Sequence, residues 1–393
     1  MQNDDAAIAP EETSGGQTRS TSKRLAGLLC VMLISVLAGC ATVEQIFDAE
    51  APPTSAATTT LSPEASQQRA RAKARRPGIA ALRAAFRRPG ALPESAVARP
   101  EVIALGEKLF RSRELSRQRR VSCLSCHLPE VAWADLKAKP AADNGVPMMR
   151  RSQTLYDLAW QTTFLWDGRQ DSLEGVVKGA VASPDIMGLA IASPDLTGRP
   201  VDDMVQRLAF KSDFAADFAR VYPDIGVTPE TIANALASFM RTIRSPATRF
   251  DRWVSGDDRA LSPSELRGFR LFNGKANCFA CHSGWRFTDD GFRDIGLPAS
   301  NDRGRGRIKP QIESLSFAFR TPTLRGVADR PPYMHDGSLR SLEAVIEHYD
   351  RGGTQRASLS PDMFPLGLDA QEKADLVAFM RSLSSKPAAP ETP

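Results

Sequence analysis

The pentapeptide Cys-x-x-Cys-His occurs twice, as Cys123-Leu-Ser-Cys126-His127 and as Cys278-Phe-Ala-Cys281-His282. Two thiols at this spacing, followed at once by an imidazole, suit covalent attachment of haem: the thiols add to the vinyl groups and the histidine binds the iron. Cys-x-x-Cys alone also serves thioredoxin-type redox pairs and half-sites for zinc. Repetition of the whole pentapeptide favours haem. The two copies use four of the six cysteines and two of the four histidines, leaving few residues for a competing site. The chain reads as a c-type cytochrome with two covalent haems and with His127 and His282 as proximal iron ligands.

The surroundings of the motifs repeat too. Gly106-Glu-Lys-Leu109-Phe110 precedes the first motif and Gly268-Phe-Arg-Leu271-Phe272 the second. Leu236-Ala-Ser-Phe239-Met240-Arg241 follows the first and Leu376-Val-Ala-Phe379-Met380-Arg381 the second. Each half reads as helix, haem motif, irregular middle and closing helix. Ser262, Pro263 and Glu265 make a capping box with proline at the first helical position, and Asp369 with Glu372 makes a similar start. Leu376, Val377, Met380 and Leu383 recur at helical spacing, and long alternating β runs are absent. The expected class is mainly α: two cytochrome c-like haem domains in tandem, 96–250 and 251–386, before a disordered tail at 387–393.

Residues 1–39 read as a lipoprotein signal sequence. Lys23 and Arg24 precede an apolar stretch, Leu25 to Ala38, whose length suits a signal and is short for a membrane span. Leu37-Ala38-Gly39-Cys40 resembles the bacterial lipobox, which implies cleavage before Cys40 and lipidation of its thiol; an uncleaved anchor helix is the alternative. Residues 40–95 read as a flexible tether. It starts rich in Ala, Thr, Ser and Pro and continues into Arg69, Arg71, Lys73, Arg75, Arg76, Arg83, Arg87 and Arg88 with no acid among them; Ile79 to Arg88, between Pro77-Gly78 and Pro89-Gly90, suits a short amphipathic helix. Beside a lipid anchor this run would meet anionic headgroups at ~1 kcal/mol per basic residue; a solvated basic linker is the other reading. The expected location is the periplasmic face of a Gram-negative membrane. The net charge of +5 comes from this run, so nucleic acid is not an expected partner.

Four further segments carry a resemblance: Phe164-Leu-Trp166-Asp167-Gly168-Arg169, Arg320-Thr-Pro-Thr323-Leu324-Arg325, Pro332-Tyr-Met-His335-Asp336-Gly337-Ser338-Leu339 and Leu366-Gly-Leu-Asp369. With both haem motifs, they make the chain similar to the bacterial di-haem cytochrome c peroxidase family, MauG-type enzymes included, from about Ala104 to Leu383. The resemblance implies that fold and a redox role. It places Trp166 between the haems and makes His335 a haem-contacting residue, not an iron ligand. It puts the other axial ligand of the second haem fourteen residues after His335, at Tyr349. Peroxidases of the family carry methionine there and MauG-like members tyrosine. A phenolate is a hard anionic donor that favours Fe(III). His348 and Met363 are the alternatives.

Three departures qualify the resemblance. Pro140 to Arg151 contains no histidine, so the first iron is either open or covered by Met148 or Met149. The family's distal glutamine and glutamate, ten and twenty residues after the tryptophan, fall on Val176 and Ile186. Neither moves a proton, which counts against fast peroxide turnover; neighbouring Asp185 is the candidate substitute. Arg151 falls where the family has a calcium-binding asparagine. Its own charge would link the halves without calcium, unless the alignment slips or the side chain faces solvent.

Three functions follow. The leading one is an H2O2-reducing peroxidase fed by a small cytochrome c or cupredoxin, with electrons entering on the Tyr349 side and crossing at Trp166. The second is a MauG-like oxidase acting on aromatic residues of a partner protein, favoured by Tyr349 and the missing distal histidine. The third is a non-enzymatic electron-transfer cytochrome, favoured by Val176 and Ile186.

Overall fold

The computed structural model describes residues 78–190 and 203–385, all within one compact unit. Cys40, the signal sequence and the tether as far as residue 77 lie outside the described residues, as does the tail. The helices are α1 (Ile79–Ala85), α2 (Pro100–Arg111), α3 (Leu173–Ala182), α4 (Met204–Phe210), α5 (Ser212–Val221), α6 (Pro229–Thr242), α7 (Arg249–Val254), α8 (Pro263–Phe272), α9 (Leu342–Asp350) and α10 (Ala370–Ser382). Two-residue strands, β1 (Phe292–Arg293) and β2 (Phe319–Arg320), pair antiparallel and are the only strands among the described residues. The class is mainly α, with the expected boxes in place: Ser262 and Glu265 cap α8 reciprocally, and Asp369 and Glu372 cap α10.

The duplication has a steric cause. α2 crosses α6 where a Cβ on Gly106 would lie 2.0 Å from the Ala235 carbonyl oxygen; α8 crosses α10 where one on Gly268 would lie 2.0 Å from that of Asp375. Only glycine permits so close a crossing. The repeated Leu-Phe behind each glycine fills the groove: Leu109, Phe110 and Phe272 are buried, and Phe110 meets Phe239 as Phe272 meets Phe379. Each helix pair heads its own apolar core. The first gathers buried residues between Val102 and Ile243; the second gathers residues from Phe250 to Leu383.

One expectation is corrected here. The tether does not extend to residue 95. From Gly78 the chain is packed: Leu82 and Phe86 of the arm are buried in the second core, with Phe86 fully enclosed among Phe250, Phe269 and Phe287. The arginines around them are engaged as well. Arg83 pairs with Asp258 and lies 4.6 Å from the Trp253 ring, and Arg88 donates to the Ser245 carbonyl beside Asp251. The arm then crosses to the first half, where Arg244 donates to the Pro89 and Gly90 carbonyls. A basic composition disguised a structural strap.

Candidate haem sites and the space between them

Each Cys-x-x-Cys-His motif opens with a single 3-10 turn, Cys123–Ser125 and Cys278–Ala280. The turn presents both sulfurs and the following imidazole to one cavity. Cys123, Cys126 and His127 line a cavity of about 580 Å³, and Cys278, Cys281 and His282 line one of about 150 Å³. The first cavity is the roomier of the two.

The thiols are not of the reactive kind. Burial pushes Cys123 and Cys278 up to about 12, and Cys126 and Cys281 up to about 11, the opposite of an activated redox pair. Among the described residues, no cluster of three or more His, Cys, Asp or Glu is arranged to hold a metal ion. Both imidazoles are instead set up to bind iron. Nδ1 of His127 lies 3.1 Å from the Trp133 carbonyl and Nδ1 of His282 lies 2.8 Å from the Phe287 carbonyl. A carbonyl only accepts, so Nδ1 carries the proton and Nε2 keeps its lone pair. Burial lowers the pKa of both histidines, that of His282 to about 4, holding them neutral.

The cavities also call for an anion. Arg151 and Arg330 are buried side by side. Burial, then the charge of Arg151, pushes Arg330 down to about 10. Neither forms an ion pair among the described residues, and the Nε atoms of Arg151, Arg320 and Arg330 have no hydrogen-bond partner. Uncompensated buried cations are costly. The two carboxylates of each haem match this demand, so the donor set, the apolar walls and the cations all fit the group.

Between the cavities stand Arg151, Trp166 and Arg320, the residues that line both. The Trp166 indole N–H donates to the Arg151 carbonyl at 3.0 Å. The Arg151 guanidinium donates to the Arg330 and Asp135 carbonyls at 3.1 Å, joining the two halves through its own charge. His335 lies in the second cavity, stacked on Phe319 with ring centroids 3.6 Å apart and 6.4 Å from Trp166. Its carbonyl accepts the Arg151 N–H at 2.9 Å. Nearby, Arg150 spans the halves by pairing with Asp167 and Asp302.

Tyr349 lines the second cavity, half-buried, near Cys278 and Cys281. His348 points elsewhere, its Nε2 at 2.8 Å from the Ile295 carbonyl, whereas Met363 does line the cavity. Burial raises the Tyr349 phenol well above its ordinary value, so a phenolate there needs a cation such as ferric iron beside it. In the first cavity Val176, Asp185, Ile186, Met148 and Met149 all appear in the lining. Val176 and Ile186 pack against the first core; Asp185 and Met149 are exposed, and Met148 is half-buried. Asp185 has no hydrogen bond or ion pair among the described residues. Sequence reading missed Arg330, Gln153, whose buried Nε2 lies unpaired in the first cavity, and the carbonyls of Trp133 and Phe287. Main-chain acceptors leave no side-chain signature, and their spacing differs between the halves, six residues after His127 and five after His282.

Two half-buried Cys-x-x-Cys-His sites on duplicated helix pairs define a di-haem c-type cytochrome. Residues 100–259 match the family model for di-haem cytochrome c peroxidase and residues 266–384 that for cytochrome c. The chain is 43% identical to the methylamine utilization protein MauG of Methylorubrum extorquens over 81% of its own length and 89% of that protein's. It is 34% identical to the cytochrome-c peroxidase IdrP1 of a Pseudomonas species, covering 74% and 82%. Among solved structures, a MauG-like protein associated with microbial copper homeostasis matches with a TM-score of 0.68 and 28% identity, covering 77% and 94%. The chain belongs to the di-haem cytochrome c peroxidase and MauG family. It is an oxidoreductase with two covalently bound c-type haems.

Proposed function

We propose that this oxidoreductase works as a MauG-like oxidase, using H2O2 as oxidant and aromatic side chains of a partner protein as the electron source. The observation that carries the reading is Tyr349, placed in the second cavity with Cys278, Cys281 and His282, while His348 is turned away. The similarity to MauG supports it. The haems, when bound, supply the redox chemistry with H2O2. The chain's own residues do the rest. The four cysteines anchor, His127 and His282 ligate with neutral Nε2, and Tyr349 offers a phenolate that favours the oxidised metal. Arg151 and Arg330 hold carboxylates, and Trp166 conducts between the cavities. Val176 and Ile186 give a dry wall without a proton carrier, so proton delivery falls to Asp185 at the mouth and is slow. Slow turnover suits an enzyme that must keep its oxidising power until a protein substrate arrives.

The second reading, a peroxidase fed by a small cytochrome c or cupredoxin, is favoured by Phe279 and Phe364. These aromatic rings stay 38% and 39% exposed at the second haem site, an apolar landing for such a donor. EPR and transient absorption after one equivalent of H2O2 separate the two. The first reading expects a long-lived oxidised state that generates dityrosine in an added tyrosine-bearing protein. Rapid multiple-turnover oxidation of a reduced small cytochrome c, without aromatic oxidation, would establish the second.

The same proposal places the protein on the periplasmic face of the membrane through lipid on Cys40. Cys40→Ser should keep both haems and lose membrane retention. A variant still in the membrane fraction would mean that residues 25–38 remain as an uncleaved anchor.

A further inference from the structure

The two carbonyls that orient the proximal histidines come from residues in the same unusual backbone state. Trp133 has φ 54° and Phe287 φ 53°, in the left-handed region that bulky residues avoid. Such a conformation persists only where packing imposes it. In the first half, Trp133 stays half-exposed and meets Phe110 and Phe239 at 5.9 and 6.0 Å between ring centroids. In the second half, the equivalent partners, Phe272 and Phe379, sit at 6.0 and 6.1 Å from Phe287. Phe287 has two rings more. Phe250 lies at 5.2 Å and Phe86 at 4.9 Å, the nearest of all, tilted by 32°. Phe287 is fully buried, and its contact to the histidine is the shorter one, 2.8 Å against 3.1 Å.

We propose that Phe86, carried in by the N-terminal arm, is a positioning residue for the second haem: it clamps Phe287 so that its carbonyl holds the His282 Nδ1–H. That hydrogen bond makes the imidazole a stronger donor and favours the ferric state. The arm that leads from the tether is thereby part of one haem's ligand machinery and has no counterpart at the other. The inference rests on His282 ligating the second haem, which the haem content and EPR spectrum of the wild type establish separately.

The test uses the full chain with both haems. Phe86→Ala should raise the reduction potential of the second haem and change its EPR g-values, leaving the first haem at wild-type values. Phe86→Leu keeps much of the apolar volume and should give a smaller shift in the same direction. Leu82→Ala empties space in the same arm and core and should lower Tm without moving either potential. If Phe86→Ala does not accumulate, Phe86→Leu decides alone. The proposal is overturned if the Phe86 variants lose only stability while the second haem keeps its potential and g-values. It is equally overturned if Leu82→Ala shifts them as far.

Discussion

The Trp166 indole donates to the main-chain carbonyl of Arg151, the residue whose guanidinium reaches carbonyls of both halves. The one aromatic side chain lining both cavities is thus fixed by the one arginine that joins Asp135 to Arg330. Motion between the halves would pull on Trp166, so the conducting role proposed for it and the alignment of the halves would depend on the same residue.

Arg151→Leu should therefore destabilise the protein by about 1–3 kcal/mol, because the carbonyls of Asp135 and Arg330 lose their donor inside the protein. Arg151→Lys should not rescue it, since one ammonium cannot reproduce the forked contact. Denaturant midpoints check both. A chelator should leave the wild-type midpoint unchanged. A drop reversed by calcium would place a metal at this junction in addition to the guanidinium.

Gly268→Ala tests the helix crossing. The new Cβ would sit 2.0 Å from the Asp375 carbonyl oxygen and 2.7 Å from the Phe379 Cβ, so α10 must move. Overpacking of this kind typically costs ~1–3 kcal/mol, and α10 carries Met380 into the second cavity. Calorimetry should record a lower Tm with the second haem's spectrum perturbed and the first's intact. Gly106→Ala should do the converse. Equal effects on both haems in either variant would contradict independent helix pairs.

The legible parts of this molecule were those with local signatures. The haem motifs and the caps at Ser262 and Asp369 are short local patterns; the repeat around Gly106 and Gly268 marked the duplication, while the helix crossings at those glycines came only from the fold. The arm's helix was legible, with Ile79, Leu82 and Phe86 at helical spacing amid arginines, but its destination is a tertiary signal: only rings from Phe250 and Phe287 show what buries Phe86. The Arg151–Arg330 pair was half legible. Arg151 stood out against the family pattern, but no sequence rule brings Arg330, 179 positions away, beside it.

Tyr349→Phe separates ligation from packing. The aromatic volume is kept and only the hydroxyl is lost, so stability should change little. The second haem's ferric spin state and potential should change strongly, with the potential rising as the anionic donor disappears. The first haem serves as internal control in the same EPR spectrum. An unaltered second-haem signal would assign Tyr349 to packing and turn attention to Met363, which shares the cavity.

The first cavity gives the remaining prediction. Its lining offers two carboxylates, and Asp167 is tied to Arg150 and Arg169, which leaves Asp185 at the exposed mouth. Val176 and Ile186 line the same cavity, and the family resemblance puts a proton carrier at their positions. General acid–base assistance is typically worth 10²–10⁴-fold, or about 3–5 kcal/mol of barrier. Wild-type reaction with H2O2 should accordingly be slow, and Val176→Gln with Ile186→Glu should accelerate it by up to about that factor. The gain depends on pH. Ile186 packs against the first core, so a glutamate there would be partly desolvated and its pKa raised above the usual carboxylate range. It accepts a proton only when ionised, so the acceleration should be small at acid pH and grow as pH rises through the elevated pKa. Stopped-flow rates for the wild type and the double variant across pH 5 to 9 measure this directly. A wild type already as fast as the double variant at every pH would move the proton-transfer role to another group, and Asp185→Asn would then identify whether the mouth carboxylate fills it.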